Sequence, residues 1–361
     1  MSTKTPTSPT PDDDDPDDEG WDAPPPGADP GIDWGVTSHL ERDGSPRIIE
    51  RHLVVPPELA GMRLDHFVKT QIARLSRTKI QSIIDDQLLR ADGHAPKPAT
   101  IVAANERYII RRPARPEPPC PRTFSVIYEH PRVLVVDKPA LLPVHASAKF
   151  YFNTLARVLA EHYPDEPELQ ICHRLDRETS GCLVVARDHA AAVVLKHAWA
   201  AKDAVQKQYV AVVHGHPPWD EQHTLDVPLR LAQPSDPTRL PHIRMLPDPA
   251  GQTAVTRVRV ESRSAWYSVV RCDLVTGRQH QIRAHLAHAG FPIVGDKLYG
   301  HGDDAFIRFC DEGLGPELAA LFKIPRHALH AARVTFPHPD GGSVTAEAAF
   351  PADLRALLEA C

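Results

Sequence analysis

The sequence predicts an α+β protein: a mixed, largely antiparallel β-sheet core preceded by a smaller α+β unit. Three observations lead there. Beyond residue 123, strand-like apolar runs outnumber helical ones and do not alternate with them regularly. Apolar residues at helical spacing cluster before residue 90. Five prolines within residues 113–122 separate the two regions and read as a stiff linker.

Taken in order, residues 1–50 are rich in Pro, Asp and Gly and hold 3 basic against 13 acidic side chains. Too little apolar surface is available there to offset ordering entropy, so a disordered acidic tail is expected. It reads either as an inert solubilising tail or as an electrostatic shield for the basic segment that follows. Residues 51–112 form the small domain. Leu64, Phe67, Val68 and Ile72 share one helical face, and Ser76 is a candidate N-cap for a helix carrying Ile80, Ile83 and Ile84. Strands are expected near 88–91 and 108–111. Residues 51–115 hold 12 basic and 6 acidic side chains, although the whole chain is at −6. Arg74, Arg77 and Lys79 gather at a helix start, where side-chain charge and free N–H groups suit a phosphate.

The core is expected over 123–361. Strands are placed at 124–128, 133–136, 182–187, 209–213, 255–260, 266–275 and 333–336, with a helix near 190–201. Thr276 and Gln279 have capping-box spacing for a helix over 277–289, closed by Gly290. Arg283 then lies beside the apolar stripe of Ile282, Leu286 and Ala289, where it can reach inward. The proline-rich stretch 215–254 is irregular and reads as an inserted contact segment or a long loop.

Several classes are disfavoured. The six cysteines (Cys120, Cys172, Cys182, Cys272, Cys310, Cys361) include no Cys-x-x-Cys pair, so a zinc site is not expected and the thiols read as reduced and cytoplasmic. No metal or other cofactor is expected. No apolar run reaches the roughly 18 residues that would span a bilayer, so no membrane association is expected.

The run His173-Arg174-Leu175-Asp176-Arg177-Glu178-Thr179-Ser180-Gly181 sets one carboxylate between two guanidinium groups and closes in turn-forming residues. Such an acid is expected to be ionised at neutral pH and able to serve as nucleophile or base. This nonapeptide resembles the signature of the RluA-type pseudouridine synthases. So do Val133-Leu134-Val135-Val136-Asp137-Lys138-Pro139 with Pro143-Val144-His145, Lys207-Gln208-Tyr209-Val210-Ala211, and Gly277-Arg278-Gln279-His280-Gln281-Ile282-Arg283-Ala284-His285 followed by Pro292 to Gly300. Leu329-His330-Ala331 falls where the family's last segment lies.

The resemblance implies the pseudouridine synthase fold and isomerisation of uridine in structured RNA, with large-subunit ribosomal RNA the first target class and tRNA the second. It implies Asp176 as the catalytic carboxylate, Arg283 as its partner and Tyr209 over the uracil ring. Ile282 packs on the target base, Arg174 fills the space that a flipped base leaves, and His173 and Thr179 contact the substrate. Residues 63–65 and 75–80 are similar to the S4 RNA-binding domain, which adds Arg63 and Ser76 to the expected RNA contacts. The partner is RNA rather than DNA, and a monomer is expected. One departure stands out: Leu141 occupies a place where the first motif often has glycine. A non-catalytic RNA-binding or ribosome-assembly protein on the same fold is the competing reading.

Overall fold

The computed structural model describes residues 23–25, 28–72, 75–147, 149–201 and 204–360, which form two compact units. The smaller unit spans Thr37–Pro116. It contains β1 (Ile48–Val54), α1 (Leu64–Gln71), α2 (Arg77–Gln87), β2 (Leu88–Arg90) and β3 (Arg107–Pro113). The strands make an antiparallel sheet in the order β1-β3-β2. Leu64, Phe67, Val68, Ile80, Ile83 and Ile84 bury the helical faces that their spacing predicts, against Leu53, Tyr108 and Ile110. Ser76 caps α2, its hydroxyl accepting the Lys79 N–H at 3.3 Å.

Two boundaries differ from the sequence reading. A break at 50/51 would fall inside β1, whose residues Ile49 and Leu53 turn inward, so the disordered tail expected over 1–50 does not extend to this strand. Residues 113–122 are not a free linker either. Pro113 ends β3, and from Glu117 onward the chain belongs to the larger unit, where Cys120 is fully buried. The expectation for residues 1–22, 26 and 27 lies outside the described residues.

The larger unit comprises the residues up to Val36 together with Glu117–Cys361. Its elements are β4 (Ser125–Glu129), β5 (Val133–Lys138), α3 (Leu155–His162), β6 (Gln170–Ile171), β7 (Ser180–Ala186), α4 (His189–Ala200), β8 (Gln206–His214), β9 (His223–Asp226), β10 (Leu229–Leu231), β11 (Met245–Pro247), β12 (Val255–Arg263), β13 (Tyr267–Leu274), α5 (Gln281–His288), α6 (Gly302–Glu312), α7 (Pro316–Phe322), β14 (Leu329–Pro337), β15 (Ser343–Glu347) and α8 (Ala352–Glu359). One mixed sheet runs β4-β5-β7-β14-β8-β13-β12-β9, with β15 on β14 and β6 on β7. Only β7 and β14 pair in parallel among these described strands, so the expected, largely antiparallel α+β class holds. The stretch 215–254 is partly ordered: β10 and β11 form a hairpin whose Leu229 and Met245 pack with Tyr299 and Phe306.

β7 is buried on both faces along its whole length and runs through the middle of the sheet. Its second residue, Gly181, has φ +111° and lies so close to β14 that a Cβ would meet the Ala331 carbonyl oxygen at 2.3 Å. Gly181→Ala therefore combines a clash in a packed core with a conformation that L-residues resist. A loss of about 2–4 kcal/mol is expected, measurable as a lowered denaturation midpoint at an unchanged slope. An unaltered midpoint would refute it.

Candidate active site

Asp176 lies in the turn between β6 and β7, which closes through the Thr179 N–H donating to the Asp176 carbonyl at 3.1 Å. Its carboxylate meets Arg283 from α5, 107 residues later, with Nη1 donating to Oδ2 at 3.1 Å. Arg283 is 1% exposed, and its other nitrogens are committed to a second acid. Nε and Nη2 donate to Asp296 at 2.7 and 3.0 Å. Asp296 is fully buried and also accepts the N–H groups of Leu298 and Tyr299 at 3.0 Å each. Burial alone would raise its pKa. The Arg283 charge and hydrogen bonds outweigh that and hold the carboxyl below its usual range. The result is a three-member chain. Asp296 fixes the guanidinium, the guanidinium fixes Asp176, and Asp176, with a side chain 20% exposed, is the end that meets solvent.

α5 starts later than expected. Gln279 caps nothing. Instead, Gln281 accepts from the Thr276 hydroxyl and the Arg278 N–H, while its amide donates to Val255 and Thr256. Residues 277–280 are therefore loop, with His280 left-handed at φ +50°, and the helix runs Gln281–His288. Gly290 ends it at φ +87°, as expected. Ile282, 4% exposed, packs in the apolar cluster under β8 and β13 together with Tyr209. Burial, and then the Asp176 charge, push the Tyr209 phenol above its ordinary pKa. The phenol thus stays protonated at neutral pH and offers a ring face and an O–H rather than a ready base.

The residues after Asp176 are each tied down. Arg177 Nη2 donates to Glu178, and Glu178 in turn accepts Lys297 Nζ at 2.7 Å and the His327 N–H at 2.7 Å. Thr179 Oγ1 is 2.8 Å from His327 Nε2, and Ser180 Oγ is 2.9 Å from His330 Nδ1. Thr179 is 2% exposed, so it locks the turn instead of reaching a substrate. His173 also departs from its expected role. Its Nε2 accepts the Val184 N–H at 3.0 Å and its ring stacks on Trp199. Burial first, then the Lys207 charge, push its pKa down to about 3, so it is a neutral structural acceptor. Arg174 lies exposed on the turn.

Lys138, in the first motif, takes a role that the sequence does not predict. It is fully buried, and its Nζ donates to the carbonyls of Pro139 (2.7 Å), Leu142 (2.9 Å) and Arg177 (3.1 Å). Burial, with the Arg326 charge, pushes its pKa down to about 7, against the pull of Asp176. One ammonium thus sews the loop after β5 to the residue following Asp176. Lys138→Met keeps the volume but removes the donor that three carbonyls share, two of them buried. It is expected to lower kcat by about 10²-fold through loss of positioning, with KM changed far less. A steady-state comparison checks this, and unchanged kcat would refute it.

One group with ligand potential occurs among the described residues. His130, His338 and Asp340 bring ligand atoms within 4.8 Å of one another. Arg132 already pairs with Asp340 at 3.0 Å, and His130 Nδ1 already faces His338 Nε2 at 3.1 Å. His130 precedes β5, at the opposite end of that strand from Lys138, and His338 and Asp340 lie between β14 and β15, so the group plays no part in this site.

Residues 132–288 match the family model described as RNA pseudouridylate synthase. A ribosomal large subunit pseudouridine synthase D of Xanthomonas campestris is 34% identical over 317 residues, covering 86% of this chain and 92% of that protein. A protein of the same name from Pseudomonas aeruginosa is 32% identical over 318 residues, covering 86% and 95%. Among solved structures, human RNA pseudouridylate synthase domain containing 4 aligns with a TM-score of 0.51 at 25% identity, covering 65% of this chain and 92% of that one. The buried acid–arginine–acid chain, the adjoining phenol and this breadth of similarity converge on one assignment: the chain belongs to the RNA pseudouridine synthase family.

Proposed function

We propose that this enzyme isomerises uridine in large-subunit ribosomal RNA and that Asp176 is the group that attacks the nucleotide. The observation that carries the reading is the position of Asp176 as the solvent-facing end of an otherwise buried ion-pair chain. The reaction breaks the N1–C1′ bond, turns the base and forms C5–C1′. The proton on C5 is lost and N1 gains one, so no redox or group-transfer cofactor is needed. The carboxylate adds to C1′ or to uracil C6, and both routes start from the same oxygen. Arg283 holds that oxygen, and Ile282 and Tyr209 supply the apolar wall for the ring. The ribosomal target draws support from the names of the relatives, which are large-subunit enzymes over nearly their whole length.

Residues 51–112 serve as an S4-like RNA-binding domain in this reading. Arg77 is 67% exposed at the start of α2, and Lys79 is exposed beside it. Arg63 donates twice to Asp65, so part of its charge is spent internally, and Ser76 caps the helix. The Arg63 hydrogen bonds, against burial, hold Asp65 down to about 2. Arg74 lies outside the described residues. The enzyme acts as a monomer in the cytoplasm; no described helix is long and apolar enough to cross a membrane.

Arg174 occupies the place of an extruded base. Arg174→Ala is expected to lose about 10-fold or more on folded RNA and little on an unstructured oligonucleotide, because unstacking costs a few kcal/mol only where stacking exists. Equal losses on both would remove that role. The target is tested by tritium release from C5-labelled large-subunit, small-subunit and transfer RNA. Release from the first alone is expected. Release from tRNA alone would move the target there, and binding without release from any would favour the non-catalytic reading.

A further inference from the structure

We infer that the N-terminal segment 29–36, and Trp34 above all, is a positioning element of the active site. The inference rests on Asp176 as the reacting group. Composition marks this segment as tail, yet it is fastened to the catalytic unit. The Trp34 and Asp33 carbonyls accept the N–H groups of Cys120 (3.0 Å) and Arg122 (2.8 Å). Asn153, fully buried, spends its amide on Gly35 and Pro118, both at 3.1 Å. At Gly35 a Cβ would meet Asn153 Oδ1 at 2.2 Å, and φ is +65°. These contacts hold Trp34 against the apolar cluster of Leu141, Ala305, Phe309, Leu318 and Phe322.

That cluster underlies Lys297 and reaches Lys138 through the residue after Leu141, and these two lysines brace the Asp176 turn. Leu141 has φ +70°, a left-handed conformation that a branched side chain adopts only when its surroundings impose it. The next carbonyl, Leu142, is one of three that Lys138 holds, and another is Arg177, directly after Asp176. Phe309 and Phe322 also face Lys297 Nζ at 5.2 and 5.7 Å, and Lys297 holds Glu178, two residues after Asp176. A side chain closing this cluster therefore supports the turn from both sides through contiguous packing and hydrogen bonds. Trp34 touches no reacting atom. Its effect is on how well Asp176 is held, and so on the rate of the bound complex rather than on RNA affinity.

The test compares Trp34→Ala, Trp34→Phe and a control in the full chain, by steady-state tritium release well below each unfolding midpoint. The control is Val344→Ala, buried in a separate cluster around β15. Trp34→Ala is expected to lower kcat about tenfold with KM within about twofold. Phenylalanine should recover most of the loss, and Val344→Ala should keep wild-type kcat at a comparable loss of stability. A wild-type kcat in Trp34→Ala, or an equal loss in Val344→Ala, overturns the inference. Asp176→Asn in the same assay tests the underlying reading separately, since its inactivity would stand whichever way Trp34 falls.

Discussion

Arg283→Leu is expected to cost about 3–5 kcal/mol, because it strips the doubly hydrogen-bonded guanidinium from a fully buried carboxylate. For a unit of this size that is a fall of roughly 10 °C in melting temperature. Two further outcomes separate this cause from simple cavity formation. In the wild type, Asp296 has a depressed pKa, so the pair contributes stability that is present above its ordinary value of 3.8 and is lost as pH falls below it. In the variant, burial acts without the cation and the pKa rises. Asp296 then binds a proton more readily folded than unfolded, and the penalty of Arg283→Leu should be smaller as pH falls toward the ordinary carboxylate value of 3.8 than it is at pH 7. Adding Asp296→Leu should recover much of the stability, since two apolar groups replace an ion pair, and none of the activity, since Asp176 still lacks its partner. A variant with the wild-type pH profile, or a double variant no more stable than the single, would refute the account.

Asp176→Asn is expected to remove activity by about 10⁴-fold or more while leaving the fold in place. The amide keeps the shape and can still meet Arg283, but it is a far weaker nucleophile. Asp176 is partly exposed, and Arg283 keeps Asp296, so the stability cost should stay within about 1 kcal/mol. RNA affinity should be unchanged. Full activity in Asp176→Asn, or loss of folding with it, would contradict the assignment.

Much of this site was legible before any coordinates. Asp176, Tyr209, Ile282 and Arg283 sit in compact motifs, and the structure brings all four together. The helical faces of the small domain followed from apolar spacing, because burial rewards that period directly. What was missed shares one physical character. Asp296, Lys138 and Lys297 stand inside the motifs, but their roles are not legible there, because each is fixed by a group on another element. The resemblance implies substrate contacts for Thr179 and His173, whereas their partners, His327 and the Val184 N–H, come from other elements. The start of α5 was misplaced because two glutamines two residues apart offered rival caps, and only tertiary contact to β12 chooses Gln281. Trp34 was hidden by the composition around it. One aromatic residue in a Pro- and Asp-rich run carries no periodicity, yet a cluster closes on it. Leu141 was marked as a departure, and its positive φ gives the physical reason why glycine suits that place.

The most direct test of the central claim is tritium release from ribosomal RNA labelled at uridine C5, with wild type and Asp176→Asn side by side at matched RNA binding. Release by the wild type alone is the expected result, since formation of the C5–C1′ bond frees that hydrogen. Release by both proteins would remove Asp176 from the chemistry, and release by neither would contradict the enzymatic reading of this chain.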